Sequence, residues 1–191
     1  MRKVVFDIET SNFFQETGSN DPASLDLACV CIHDSETDKY SSYTKETLDK
    51  LWPILEKTDL LIGFNSDHFD IPLLSKYYSG HLDKIKSLDI LKEVRKSLGR
   101  RIKLDTLAEA TLGRNKTADG LAAGIWWKKG EYQKVIDYCI EDVRITKDIY
   151  DYARKNGNLK YKDGTELKDI KLDTSDWEKI TDKVMTHTLP F

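Results

Sequence analysis

The sequence predicts an α/β domain built on a mixed sheet with helices on its faces, and two patterns carry that expectation. Three strand-like runs follow one another, residues 2–8 (RKVVFDI), 25–33 (LDLACVCIH) and 38–43 (DKYSSY), the last two joined by a polar turn around Asp34–Thr37. Such a succession reads as an antiparallel meander. Strand and helix patterns then alternate and end in one long amphipathic helix, which adds parallel strands to the meander.

After the meander, Thr44 can cap a helix running to about Lys57, with Leu48, Leu51 and Leu55 on one stripe and Pro53 interrupting its regularity. Residues 59–64 (DLLIGF) form a short apolar run of the kind found in a buried strand. A helix from about Asp70 to Tyr78, a short segment near Leu88, and a helix opened by Thr106 with Glu109 in capping-box spacing carry the chain onward. The last long helix runs from about Tyr132 to Arg154 and stops near Gly157. Beyond it, Leu159–Lys162, the Asp163–Gly164 turn signal and Glu166–Leu172 read as a hairpin ahead of a polar tail containing Trp177. The expected division is therefore a main domain over 1–156 and a C-terminal hairpin and tail over 157–191. No internal repeat or low-complexity tract interrupts this order.

A third of the 191 residues are charged and 39% are hydrophobic, which suits one α/β domain with a small appendage. The net charge of −3 argues against wholesale attraction to nucleic acid, so a polyanionic substrate must be met by local basic patches or bound cations. Cys29 and Cys31 share one side of a strand and, with Cys139, read as core packing in a reducing compartment rather than as a metal site. The N-terminus enters a strand-like run at once, and eighteen uncharged apolar residues never occur together. A cytoplasmic protein without a membrane partner is expected.

Three groups of acids carry the chemistry. In VVFDIET, strand alternation puts Val5, Asp7 and Glu9 on one face and Val4, Phe6 and Ile8 on the other. Two like charges about 7 Å apart at the end of a central strand repel each other and resist desolvation. Either a divalent cation compensates them or the strand end emerges into solvent. In GFNSDHFDIPLL, Asp70 opens the next helix after Asn65 in the loop, as a helix cap or as a further ligand. Asp67 lacks an apolar anchor. On the long helix, Asp142 lies within the inward stripe of Val135, Tyr138, Cys139, Ile145, Ile149 and Tyr152, where an acid needs a ligand or an ion-pair partner.

Taken in order, FDIET, GFNSDHFDIPLL and YCIEDV resemble the three motifs of the DEDD superfamily of 3′→5′ exonucleases, the last in the Tyr-x-x-x-Asp form of the tyrosine subgroup. The sequence is similar to proofreading domains of family B DNA polymerases and to stand-alone bacterial exonuclease domains over about residues 1–154. The resemblance implies a ribonuclease-H-like fold and a two-metal hydrolysis of single-stranded DNA from the 3′ end to nucleoside 5′-monophosphates. It implies that Asp7, Glu9, Asp70 and Asp142 hold two divalent cations, Mg²⁺ or Mn²⁺, with all-oxygen ligands favouring these over zinc. Tyr138 matches the residue that positions the attacking water, and Asn65 and Phe69 match residues near the substrate strand. The implied partners are 3′ ends of single-stranded nucleic acid, DNA favoured over RNA, and a separate replication or repair protein.

Basic residues from Lys84 to Lys103 read either as a phosphate track or as a solvated helix face. Lys116, Trp126, Trp127, Lys128 and Lys129 could line a strand groove, although paired tryptophans are more often core. Asp89 and Asp105 read as helix caps, and His68 as a solvent-facing loop residue. Two alternative functions stand beside the first: an exoribonuclease trimming RNA, and a non-catalytic nucleic-acid-binding scaffold, against which the intact set of four acids and Tyr138 counts.

Overall fold

The alternation of VVFDIET sorts the core into two halves. In the computed structural model, which describes residues 1–114 and 122–179, this run is strand β1 (Lys3–Thr10). It is the middle strand of a five-stranded sheet of order β3-β2-β1-β4-β5, with β2 at Leu27–Asp34, β3 at Lys39–Tyr43, β4 at Leu60–Gly63 and β5 at Lys86–Asp89. The first three strands are an antiparallel meander, and β4 and β5 add in parallel to β1, giving the expected mixed sheet.

Val4, Phe6 and Ile8 of β1 pack with Val30, Ile32 and Leu61 against Leu48, Leu51, Leu55, Leu73 and Leu74. Val5, Cys29, Cys31 and Ile62 point the other way, toward Val135, Cys139 and Val143 of the long helix α7 (Tyr132–Asn156). The short helix α1 (Phe14–Thr17) and the helices α2 (Trp52–Leu55) and α3 (Asp70–Ser75) precede α4 (Ile90–Leu98), α5 (Leu104–Leu112) and α6 (Ala122–Lys128).

Several boundaries differ from expectation. The segment after Thr44 is a 3₁₀ turn over Lys45–Lys50 followed by α2, because Pro53, lacking an N–H, sits only in the first turn of a new helix. The Leu48, Leu51 and Leu55 stripe survives the break and is buried. α3 stops at Ser75, where Lys76 and Tyr77 donate to carbonyls only three residues back and tighten the last turn. The short segment near Leu88 is β5, and α4 follows at once because Asp89 caps it, accepting from the Leu91 and Lys92 N–H groups. α5 begins at Leu104 with Lys103 as its N-cap, so Thr106 lies inside the helix and does not open it. Burial of Leu107 and partial burial of Leu104 set that start, and local capping preference yields to packing.

α7 ends at Gly157, whose φ of +69° closes the helix in the left-handed region. The hairpin follows as β6 (Asn158–Asp163) and β7 (Glu166–Lys171). Leu159, Ile170, Leu172 and Trp177 join the hydrophobic cluster beneath α7. Glu178 ties this segment to Lys3 and Arg154, each at 2.9 Å, and accepts from the Tyr150 hydroxyl. Among the described residues, no helix is long and apolar enough to cross a membrane.

The register of β1 prepares the site. β4 pairs with Lys3, Val4 and Val5 alone, so the carboxyl half of β1 projects beyond its parallel neighbour. The chains leaving β1 and β4 meet on one face of the sheet, where Phe14 packs against Phe69, and the carboxyl half of β1 borders a crevice lined by Asp7, Asn65 and Asp142. Gly63 makes the exit from β4 possible, because a Cβ there would lie 2.4 Å from the Cβ of buried Ser66. Gly63→Ala should therefore destabilise the protein by about 1–3 kcal/mol, since backbone or Ser66 must shift. Urea unfolding checks this, and a midpoint equal to that of the wild type would show that the loop relaxes freely.

Candidate active site

Three elements converge on the crevice. β1 supplies Asp7 and Glu9, α3 supplies Asp70 at its first residue, and α7 supplies Tyr138 and Asp142. Carboxylate oxygens of Asp7, Glu9 and Asp142 all lie within 4.8 Å of one another. Asp70 lies outside that closest group but is buried at 4% exposure, and its charge raises both Asp7 and Glu9. The expected convergence of the four acids is thus present, with Asp70 set back from the other three.

Sequence accounts for the placement of each. The polar face of β1 meets the inward stripe of α7, and the Cys139 thiol donates to the Asp7 carbonyl at 3.4 Å, fixing the helix against the strand. Cys29, Cys31 and Cys139 pack together in the core beneath the acids, all three free and buried. Asp70 stands at the first residue of α3, where its own backbone N–H and that of Ile8 act to favour its charged form against the burial that raises it.

Electrostatically the cluster is unfavourable by itself. Burial pushes Asp7 and Glu9 well above the usual carboxylate range, and Asp142 and Asp70 push them further. Burial raises Asp70 to about 8, and burial together with the charge of Asp105 raises Asp142 to about 7. The charges that weigh most on Asp7 and Asp142 are other acids, and among the described residues no lysine or arginine forms an ion pair with either. The Tyr138 hydroxyl acts on Asp142 in the favourable sense, while burial and the surrounding acids push its own pKa up, so it remains protonated.

Two acids set aside in the sequence have larger roles than capping. Asp89 is a cap, as expected, but its carboxylate also accepts from the Asn65 N–H at 2.8 Å and the Asp67 N–H at 3.2 Å. It thereby fixes the loop that leads into Asp70, including Asn65 in the left-handed region at φ +66°. Asp105 does not cap α5: it lies in the first turn, and its charge bears on Asp142 and Tyr138. No pattern in the sequence distinguishes these two from ordinary first-turn acids. Asp67 is a structural residue, bonded to Ser87 and paired with Lys92 at 2.9 Å.

Asn65 lines the cavity beside Asp7 and Asp142, and its side-chain oxygen accepts from Arg101 at 2.8 Å. Phe69 packs edge-on against Phe14, with ring centroids 6.3 Å apart, and Phe14 and Phe69 both lean on the core. His68 is exposed. Trp126 and Trp127 are half-buried; Trp126 meets the Tyr138 ring in an edge arrangement at 5.9 Å, and Trp127 lies tilted against Tyr132 with centroids 4.5 Å apart. Lys116 lies outside the described residues. A larger open depression elsewhere, bordered by Glu56, Asp59, Asp83 and Lys86, contains none of the four acids.

Residues 4–154 match the RNase_H superfamily, and the chain belongs to that superfamily. Among solved structures it is similar to the family B DNA polymerase of the hyperthermophilic archaeon Pyrobaculum calidifontis, with a TM-score of 0.62 and 19% identity. That match covers 80% of this chain and 24% of the polymerase, so this chain spans about a quarter of the larger protein. Among curated proteins no relative matches the sequence. The fold is that of the RNase_H superfamily, shared with part of the polymerase. Membership supports a nuclease acting on nucleic acid, of a kind that generally uses divalent metals. The residues present fit such ions, being an all-oxygen cluster whose repulsion the described part of the protein leaves uncompensated.

Acids whose folded pKa lies above the unfolded value keep protons that the unfolded chain has lost. Their contribution to stability is therefore greatest in acid and declines as pH rises from about 4 toward 7 or 8. In EDTA, Asp142→Asn should melt at or above the wild-type temperature, and its advantage should grow from pH 5 to pH 8 as a matter of sign. Thermal melts across that range decide it: a variant that melts far below wild type at every pH would make Asp142 a structural ion-pair partner.

Proposed function

We propose that the protein is a metal-dependent 3′→5′ exonuclease that releases nucleoside 5′-monophosphates from single-stranded DNA. The observation that carries the reading is the convergence of Asp7, Glu9, Asp70 and Asp142 beside Tyr138, without an offsetting cation among the described residues. Asp7, Glu9 and Asp142, with Asp70 behind them, would hold Mg²⁺ or Mn²⁺. When bound, such ions supply a nucleophile at neutral pH and relieve charge on the leaving 3′ oxygen.

The chain's own residues do the positioning. Tyr138, one helical turn before Asp142, keeps its phenolic proton and can donate it in a hydrogen bond, so it orients a water and does not deprotonate it. Asn65, locked by Asp89 and Arg101, presents its amide at the cavity mouth. DNA is favoured over RNA by the likeness to a DNA polymerase. A matched pair of DNA and RNA strands separates the two substrates.

A 5′-labelled single strand should shorten stepwise from its 3′ end in Mg²⁺ or Mn²⁺ and remain intact in EDTA. Undiminished cleavage in EDTA, or a circular strand degraded as fast as a linear one, would sink the reading. At saturating Mg²⁺, Tyr138→Phe should turn over about ten- to a hundredfold more slowly, as expected for one lost hydrogen bond of roughly 1–3 kcal/mol. Asp142→Ala should fall near background. Single-turnover rates for the two variants test this, and equal inactivity would remove the water-positioning role from Tyr138.

A further inference from the structure

Two adjoining cavities share Asn65, Leu91 and Arg101. The first, about 380 Å³, contains Asp7 and Asp142 and is bordered by Lys103. The second, about 450 Å³, continues past His68 along α4, where Lys92 and Arg95 line it. Together they form a continuous groove that starts at the acids and runs over the basic segment between β5 and α5.

The charges along this groove differ from those on the rest of α4. On the outer face Lys96 is paired with Glu93. Within the groove, Lys92 neutralises Asp67, and the Asp89 carboxylate is spent on four backbone N–H groups. Arg95, Arg101 and Lys103 remain exposed, and among the described residues none pairs with an acid. Arg101 is held by its bond to Asn65, itself fixed by Asp89, and the remainder of its donor fork is uncommitted among the described residues. A merely solvated helix face would not need a cation braced against the loop that carries Asp70.

Resting on the exonuclease reading, we propose that this groove carries the sugar–phosphate backbone of the substrate strand away from the cleavage site. Arg101 and Lys103 take a phosphate next to the acids, and Arg95 takes one farther toward the 5′ end. In a chain of net charge −3, these cations give a polyanion a defined path past the acidic centre.

The test is fluorescence anisotropy with a 5′-labelled thymidylate strand of about a dozen nucleotides, made hydrolysis-resistant by phosphorothioates at its 3′ end, in Mg²⁺. The variant Arg95→Gln/Lys103→Gln should bind about tenfold more weakly at low salt. Its slope of log affinity against log salt should be shallower by about 1.4, at roughly 0.7 for each lost phosphate contact. Lys96→Gln, on the outer face, should match the wild type in affinity and slope. Wild-type affinity and slope in the double variant, an equal loss in Lys96→Gln, or no binding by the wild type would each overturn the groove. If the wild type degrades strands from the 3′ end while the double variant binds normally, the groove fails and the exonuclease reading stands. Weakened binding by the double variant of a protein that cleaves nothing would keep the groove and remove the exonuclease reading.

Discussion

Repulsion among four carboxylates held at the end of a central strand is the constraint around which this structure is arranged. Burial raises Asp7, Glu9, Asp70 and Asp142 above their ordinary range; the charges of Asp142 and Asp70 add to it at Asp7 and Glu9, Asp105 adds to it at Asp142 and Asp89 at Asp70, so the folded chain gathers groups that would rather separate. What keeps them together is the packing behind them. Val4, Phe6 and Ile8 anchor one face of β1, and Cys139 bonds α7 to the Asp7 carbonyl. Stability built in the core is thus spent at the crevice, a common pattern where function requires convergent charge.

The loop between β4 and α3 shows how that spending is organised. Asp89 accepts from four backbone N–H groups, two in the loop and two at the start of α4, and so couples the strand exit to the helix that follows. It holds Asn65 in a left-handed conformation, which asparagine tolerates better than most residues. Arg101 then closes on Asn65 from the segment before α5. A single buried acid, whose charge also bears on Asp70, thereby sets both the approach to Asp70 and the position of a cation at the cavity mouth.

Much of this was legible in the sequence where one periodicity dominated. Strand alternation placed Asp7 and Glu9 opposite Phe6 and Ile8, and the helical stripe placed Asp142 with Tyr138 facing the sheet. The meander and the long helix followed from the same patterns. Elements fixed by tertiary contacts were less legible. Leu104, capped by Lys103, rather than Thr106 opens α5 because leucine burial sets the helix start, and the Thr44 segment breaks at Pro53 although its leucine stripe is continuous. Asp105 looked like a cap because its proximity to Asp142 depends on how α5 packs beside α7, which no local spacing encodes. The four-residue reach of Asp89 was invisible for the same reason.

The account turns on whether the acids are a cation site. If their repulsion is relieved by bound metal, a calorimetric titration of Mn²⁺ into metal-free protein at pH 7.5 should show saturable binding that Asp7→Asn removes or weakens at least tenfold, with melting temperature rising as the ion is added. Binding of equal affinity in wild type and Asp7→Asn, or no heat and no change in melting temperature at millimolar Mn²⁺, would contradict it.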